Sequence, residues 1–196
     1  MKNSRINTVL KGLVTVSFLL TALPPRAEEP EQPQAVGICQ LLANPIAYQH
    51  KLIQVTGRVQ RGFEDFTIRG ASCEDASPFW LEYGGPQPAE VVYCCVGGEA
   101  HPPNGTDPLW IDGIQTSLTR DAAFKRFDSK TRHLRRGKSV QATFIGRVFA
   151  AGVYTSDSGQ EEVGYGHFGI FSLLVIQQVL EVGRAQRNDG KPSPSH

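Results

Sequence analysis

The sequence predicts a mainly β protein: a small closed barrel of five strands, with a short helix before the first strand and one helix in an insertion between the third and fourth strands. Short apolar segments, several of them alternating with polar residues, recur between stretches rich in turn residues. Glycine lies inside two of these strands, where it allows a bend. The 20 glycines and 13 prolines among 196 residues disfavour helical bundles and coiled coils.

Residues 1–27 are predicted to be a signal peptide that is removed on export. Lys2, Arg5 and Lys11 form a basic start, and residues 12–23 form an apolar run, which is shorter than the ~20 residues that cross a bilayer as a helix. We place the cleavage after Ala27, although the residue at the minus-three position is a proline and fits the small-residue rule poorly. An uncleaved anchor and a buried helix are the alternatives.

Removal of the signal peptide changes the charge of the chain. The 20 basic residues fall to 16, against 19 acidic residues, so the net charge falls to −3. A dedicated nucleic-acid binder would carry a basic excess, so this class is disfavoured. We expect a periplasmic or extracellular protein without a transmembrane segment in its mature chain.

One folded domain is predicted over residues 36–182. The flanking segments, residues 28–35 and 183–196, are polar and hold few apolar side chains that could dock on a core. We therefore expect a disordered linker before the domain and a disordered tail after it.

The first three strands follow a short leading helix. Apolar residues from Ile38 onwards share one face of this helix, and Pro45 ends it soon after. Residues 52–59 alternate between apolar and polar, which predicts a half-buried strand with Gly57 at a bend. The inward-facing residues of this strand are Ile53, Val55 and Val59. The second and third strands are predicted at 63–70 and 79–83.

Residues 84–138 form the insertion between the third and fourth strands. Its first part, residues 84–118, is rich in glycine and proline and predicts turns with short apolar runs between them. Residues 119–137 predict a helix that Thr119 caps and in which basic residues crowd the last turns. The apolar stripe of this helix is Ala123, Phe127 and Leu134.

The last two strands complete the barrel. Residues 139–149 alternate like the first strand, and Gly146 provides a matching bend. Residues 168–182 are apolar on both faces, so we expect this strand to be buried on both sides. Five strands that bend around one core, with a helix before the fourth, are typical of the OB-fold, a Greek-key barrel. The inward-facing residues of the fourth strand are Val140, Ala142, Phe144 and Val148.

The segment NPIAYQHKLIQVTGRVQRGFEDFTI resembles the opening of a group of exported bacterial proteins with OB-like barrels. The matching residues are Asn44, Pro45, Tyr48, Lys51, Val55, Gly57 and Val59. The resemblance covers about residues 44–83 and 139–182 and leaves out the insertion. It implies an OB-like fold and a location in the cell envelope, and it implies no catalytic residues.

The four cysteines, Cys39, Cys73, Cys94 and Cys95, all follow the signal peptide, which in an oxidising compartment predicts disulfide bonds. A bond between the neighbours Cys94 and Cys95 would be strained. We predict that at least one of them bonds to the barrel, with Cys73 favoured over Cys39. The alternatives are a Cys39–Cys73 bond that leaves two thiols in the insertion, and four buried thiols.

The same cysteines define an alternative function, a metal- or thiol-dependent protein or enzyme. Cys94, Cys95 and His101, with His167 or Cys73, are of the right types to bind zinc or copper, but the spacings typical of metal sites are missing. We therefore assign no metal ligand, cofactor or catalytic residue. The carboxylates that could form a catalytic pair are expected to be solvated, and they are Glu64, Asp65, Glu74, Asp75 and Glu82.

A local cluster of basic residues in and after the insertion helix predicts an anion-binding surface. Its candidate residues are Lys125, Arg126, Lys130, Arg132, Arg135 and Arg136, with Lys138 beside them and Asp128 as the only acidic neighbour. A solvated helix face is the alternative interpretation. Trp80, Tyr83 and Trp110 could form a stacking surface or belong to the core. We predict an exported, non-enzymatic binding module whose ligand is an anionic glycan, a lipid headgroup or an envelope protein.

Overall fold

The computed structural model describes residues 30–62, 64–89, 108–156 and 159–187. In chain order its elements are β1 (Gln34–Ala35), α1 (Ile38–Ala43), a 3-10 turn (Pro45–Tyr48), β2 (Leu52–Arg61), β3 (Phe66–Arg69), β4 (Phe79–Tyr83), β5 (Leu109–Ile111), β6 (Ile114–Thr116), α2 (Ala122–Arg132), β7 (Lys138–Phe149), β8 (Gly152–Ser156), β9 (Gly159–Val163), a second 3-10 turn (His167–Gly169) and β10 (Leu173–Arg187).

Five strands close into a barrel in the order β2-β3-β4-β10-β7, and β7 pairs back with β2. All neighbours are antiparallel except β4 and β10, which are parallel. This order, with α2 between the third and fourth barrel strands, is that of an OB-like barrel. The mainly β fold, the closed five-stranded barrel and the positions of both helices are therefore confirmed.

The inner core receives side chains from every barrel strand and from both helices. On β2 the predicted residues Ile53, Val55 and Val59 are all buried, because alternate side chains of a strand point to opposite faces. The predicted inward residues of β7 are likewise buried. One end of the barrel is filled by α2, whose Phe127 ring lies 5.0 Å from that of Phe144, centroid to centroid.

A second core covers the outer face of β4 and β10. Leu109 and Ile111 of β5 pack there around Trp80, together with Phe149, Tyr165, Leu173 and Val175. The β5–β6 hairpin turns at Asp112 and Gly113, which both have positive φ, and Asp-Gly is a strong hairpin signal. The Asp112 carboxylate lies 2.8 Å from His50 Nε2, which ties the hairpin to the barrel. The described part of the insertion therefore covers one face of the barrel.

The two strand glycines lie at close contacts between neighbouring strands. A Cβ atom on Gly146 would lie 2.6 Å from the carbonyl oxygen of Val175. A Cβ atom on Gly57 would meet the Ile68 side chain at the same distance. Both glycines are buried.

The described part of the predicted linker makes contacts with the barrel. β1 pairs in parallel with β2, and the Val36 amide donates to the Gln54 carbonyl oxygen at 2.9 Å. Arg147 Nη2 donates to Glu31 Oε2 at 2.5 Å, and this hydrogen bond lowers the pKa of the Glu31 carboxyl from its ordinary value. Backbone pairing and one ion pair thus connect residues 31–35 to the barrel, although this segment has few apolar side chains.

Boundaries at the other end also differ from the predictions. β10 continues to Arg187, so the first residues of the predicted tail belong to a strand that pairs with β7. Residues 168–172, predicted as strand, form a 3-10 turn and a short bridge instead.

The start of α2 also differs from the prediction. The helix begins later, because Asp121 rather than Thr119 caps it by accepting a hydrogen bond from the Phe124 amide at 2.9 Å.

One disulfide links α1 to the loop between β3 and β4. It joins Cys39 to Cys73 across 34 residues of sequence. The predicted bond from Cys94 or Cys95 to either of these residues is therefore wrong, and the bond within the barrel that the sequence left open is the one observed. Cys94 and Cys95 themselves lie outside the described residues.

Candidate anion-binding site

A cleft of about 570 Å³ lies between the β2–β3 turn and the segment that joins α2 to β7. Both segments contribute charged residues, and the two sets have opposite sign. The basic residues on the α2–β7 side of this charged cleft are Arg135, Arg136 and Lys138, and the acidic residues on the turn side are Glu64 and Asp65.

The basic side forms because the chain turns sharply after α2. The Leu134 amide donates to the Thr131 carbonyl oxygen, and the Lys138 amide donates to that of Arg135, so the helix ends in two successive tight turns. Gly137 completes the second turn with a φ of 73°, a conformation that favours glycine. Two adjacent arginines are thereby exposed at the cleft.

The acidic side is the tight turn between β2 and β3. The Gly62 amide donates to the Asp65 carbonyl oxygen at 2.8 Å and closes the turn. The Asp65 carboxylate lies directly against the Cα of Gly62, where any Cβ atom would collide with it. Glu64 is exposed at the turn. A glycine at position 62 therefore lets the chain hold the Asp65 carboxylate over the turn.

Arg61 also lines the cleft, but its guanidinium is engaged in a buried network. It donates to Asp128 Oδ1 at 3.0 Å and to the Tyr83 hydroxyl at 3.1 Å, and it contacts the Ala89 carbonyl oxygen. The Tyr83 hydroxyl donates to the same carboxylate oxygen at 2.9 Å. Arg61 is therefore a structural residue that joins β2 to α2, and it is not free to bind an anion.

Two pKa shifts follow from this network. Burial by itself would raise the pKa of the Asp128 carboxyl, but hydrogen bonds from Arg132, Arg61 and Tyr83 outweigh burial and hold the pKa below its ordinary value. Burial raises the pKa of the Tyr83 hydroxyl well above its ordinary range. The network thus keeps Asp128 ionised and Tyr83 protonated.

A second groove of about 370 Å³ adjoins the charged cleft and shares Arg135 and Lys138 with it. Lys130 and His133 of the helix end also line this groove. The Lys130 ammonium donates to the Gly183 carbonyl oxygen at 3.0 Å, and His133 Nδ1 donates to that of Ser129 at 2.7 Å. Lys130 therefore anchors the helix to β10 and keeps only part of its capacity for a ligand.

The six candidate anion-binding residues thus separate into three groups. Arg135, Arg136 and Lys130 line the two clefts. Arg132 binds Asp128 through its Nε, at 2.8 Å from Oδ2. Lys125 and Arg126 are exposed on α2 and line neither cleft.

The carboxylates considered for catalysis are dispersed. Glu82 is fully buried and accepts backbone hydrogen bonds from Tyr83 and Ala89, at 2.7 and 2.6 Å. Glu74 pairs with Arg58 at the surface. Of these carboxylates, Glu64 and Asp65 line the charged cleft together. The sequence analysis expected both to be solvated surface residues. Gly62, which begins the turn that carries Glu64 and Asp65, was the sequence signal that could have predicted their position.

Neither the candidate aromatic stacking surface nor the candidate metal ligands form a site among the described residues. Trp80 and Tyr83 belong to the two cores, whereas Trp110 is 49% exposed. Cys73 is bonded to Cys39 and is not available as a thiolate ligand. Among the residues that the structure describes, no three His, Cys, Asp or Glu side chains are grouped to hold a metal ion. The other proposed ligands, Cys94, Cys95 and the imidazole groups of His101 and His167, lie outside the described part.

Comparison of the chain with protein-family models, with curated proteins and with solved structures finds no match. The structure shows the OB-like barrel that the resemblance implied, whereas the relation to exported bacterial proteins stays a prediction from the sequence motif. No helix in the described ranges is both long and apolar enough to span a membrane.

Proposed function

We propose that this protein is an exported, non-enzymatic binding module of the cell envelope and that the charged cleft holds an anionic ligand. The observation that carries the proposal is the presence of Arg135, Arg136 and Lys138 along one side of a cleft, with no ion pair to any described residue. The ligand candidates are an anionic glycan, a lipid headgroup and an anionic envelope protein.

The chemistry of the basic side supports this proposal. Arginine presents a planar set of donors that matches carboxylate and phosphate groups, and two adjacent arginines can bind neighbouring acid groups. The volume of the cleft, about 570 Å³, lies within the range of small-ligand sites. The turn between the first two strands of an OB-like barrel is also one of the segments with which this fold binds oligosaccharides and oligonucleotides.

Export is supported by the disulfide and by the N-terminal sequence. Disulfides persist in oxidising compartments and are rare in the cytosol. The basic start and short apolar run of residues 1–27 fit a secretory signal. A periplasmic or extracellular location would bring the cleft into contact with the acidic polymers and lipids of the envelope.

The test compares two double variants that remove the same charge from one helix region. In Arg135→Ala/Arg136→Ala the cleft loses two cations, and in Lys125→Ala/Arg126→Ala two exposed residues outside the cleft are lost. Calorimetry with trigalacturonate and with tripolyphosphate should show Kd raised about tenfold or more by the first pair, since charge-assisted hydrogen bonds contribute roughly 1.5–3 kcal/mol each. The control pair should change Kd less than about twofold.

Two outcomes would contradict the proposal. If neither anion binds at low ionic strength, the charged cleft is not an anion site. If both double variants weaken binding equally, the effect comes from net charge alone and the cleft has no special role.

A further inference from the structure

The charged cleft carries cations and anions that do not pair with each other. Glu64 and Asp65 face the same cavity as Arg135, Arg136 and Lys138. Yet none of the ion pairs formed within the described residues includes any of the five. Opposite charges that share a cavity without neutralising one another leave donors and acceptors that a ligand can satisfy.

The acidic side narrows the class of ligand. Two carboxylates repel an anion with dense charge, such as a polyphosphate or a nucleic-acid backbone, and they repel the anionic surface of a bilayer. They accept hydrogen bonds and donate none when ionised. A ligand that fits both sides must therefore combine an acid group with hydroxyl or amine donors.

An acidic sugar has this combination. It carries few negative charges per unit length, and two arginines and a lysine can bind its carboxylate or phosphate group. Its ring hydroxyl groups can donate hydrogen bonds to carboxylates. Hydrogen bonds to a charged acceptor are roughly twice as strong as neutral ones, so the acidic side would contribute affinity as well as selectivity. The cleft volume of about 570 Å³ leaves room for more than one sugar ring.

We infer that the ligand of the charged cleft is an acidic sugar within a glycan, whose acid group binds Arg135, Arg136 and Lys138 while its hydroxyl groups donate to Glu64 and Asp65. This inference rests on the proposed anion-binding function and specifies its ligand. It assigns to the β2–β3 turn the role of distinguishing hydroxyl-bearing anions from simple ones.

The experiment removes the negative charge from the acidic side and follows two anions. Glu64→Gln/Asp65→Asn is compared with Asp75→Asn/Glu181→Gln, which makes the same charge change at exposed residues outside the cleft. Calorimetry at one fixed ionic strength should show trigalacturonate binding weakened roughly fivefold, because hydroxyl donors lose their charged acceptors. Binding of tripolyphosphate, which lacks the alcohol hydroxyl groups of a sugar, should strengthen about threefold as repulsion is removed. The control variant should strengthen both ligands equally and slightly.

The outcomes separate this inference from the proposed function. If Glu64→Gln/Asp65→Asn strengthens both ligands, the carboxylates only repel, and the acidic-sugar inference is wrong while anion binding stands. If the wild-type protein binds neither anion, the proposed function fails and the inference fails with it. Binding of phosphatidylglycerol vesicles in preference to trigalacturonate would assign the cleft to lipid and overturn the inference.

Discussion

Arg61 of β2 and Asp128 of α2 lie 67 residues apart in sequence, and their Nη1 and Oδ1 atoms are 3.0 Å apart. The Arg61 side chain is only 5% exposed, so its charge depends on this carboxylate for compensation. The pair fastens the insertion helix to the first barrel strand beneath the charged cleft. The position of the basic side therefore depends on a contact that does not itself touch a ligand.

We expect Asp128→Asn to lower the free energy of unfolding by about 2–4 kcal/mol, because it leaves the Arg61 guanidinium buried without a counter-charge. Urea denaturation at neutral pH measures the loss. Asp75→Asn, at an exposed position with no described partner, is the control and should stay within about 0.5 kcal/mol of the wild type. An equal, small effect of both substitutions would show that the network contributes little to stability.

The same carboxyl predicts a pH dependence. The pKa of Asp128 is lower in the folded protein than its ordinary value of 3.8, so its ionised form stabilises the fold. This contribution is fully present above pH values near the ordinary pKa, and it is lost as the pH falls through the lower, folded pKa. The stability difference between wild type and Asp128→Asn should therefore be constant at neutral pH and shrink in acid below about pH 4. Urea titrations at several pH values measure this difference, and a gap that widens in acid would contradict the assignment.

The two strand glycines should respond unequally to alanine. At Gly146 the new Cβ atom would meet the backbone oxygen of Val175, which cannot move without disturbing the β7–β10 ladder. At Gly57 it would meet mainly the Ile68 side chain, which can shift. We expect Gly146→Ala to destabilise by about 1–3 kcal/mol and more than Gly57→Ala.

The larger Gly146→Val should destabilise further, and Gln141→Ala on the exposed face of the same strand should remain within about 0.5 kcal/mol of the wild type. Thermal unfolding followed by circular dichroism ranks the four variants. A Gly57→Ala variant less stable than Gly146→Ala would contradict the expectation that the contact with the Val175 backbone is the more costly one.

Removal of the disulfide should destabilise the barrel without changing its topology. The bond closes a loop of 34 residues, for which the chain-entropy relation gives up to about 4 kcal/mol. We expect Cys39→Ala/Cys73→Ala to lose roughly 2–4 kcal/mol in denaturant titrations and to retain the far-ultraviolet spectrum of a β protein. If peptide mapping of the non-reduced wild type links Cys94 or Cys95 to Cys39 or Cys73, the observed pairing is wrong.

The barrel was predictable from sequence because its strands carry simple local patterns. Alternation identified the inward residues of β2 and β7, and turn residues separated the strands. The second core was not predicted. Every residue of β4 is buried, so its sequence pattern does not show which segment covers the outer face of the strand. The Asp-Gly turn at Asp112 was the available signal for the hairpin that forms this cover.

The charged cleft was predictable only in part. Charge clustering identified Arg135 and Arg136, because they are close in sequence. The opposing residues Glu64 and Asp65 lie about seventy positions away and meet them only because β2 pairs with β7. Contacts between distant segments also position the linker, since β1 pairs with β2 and Glu31 binds Arg147. Such contacts leave no local pattern in the chain.

The anchoring of Glu31 to Arg147 has a consequence for biogenesis. If a signal peptidase cuts after Ala27, four peptide units separate the cut from the anchor, a reach of at most about 14 Å. An enzyme embedded in the membrane would have little room to act on a chain already folded that close to its cleavage site. We therefore expect cleavage to precede completion of the barrel. Arg147→Ala removes the ion pair to Glu31 and leaves the β1–β2 pairing in place. Pulse-labelling should then show faster processing of slowly cleaved precursor, and unchanged kinetics would contradict this order of events.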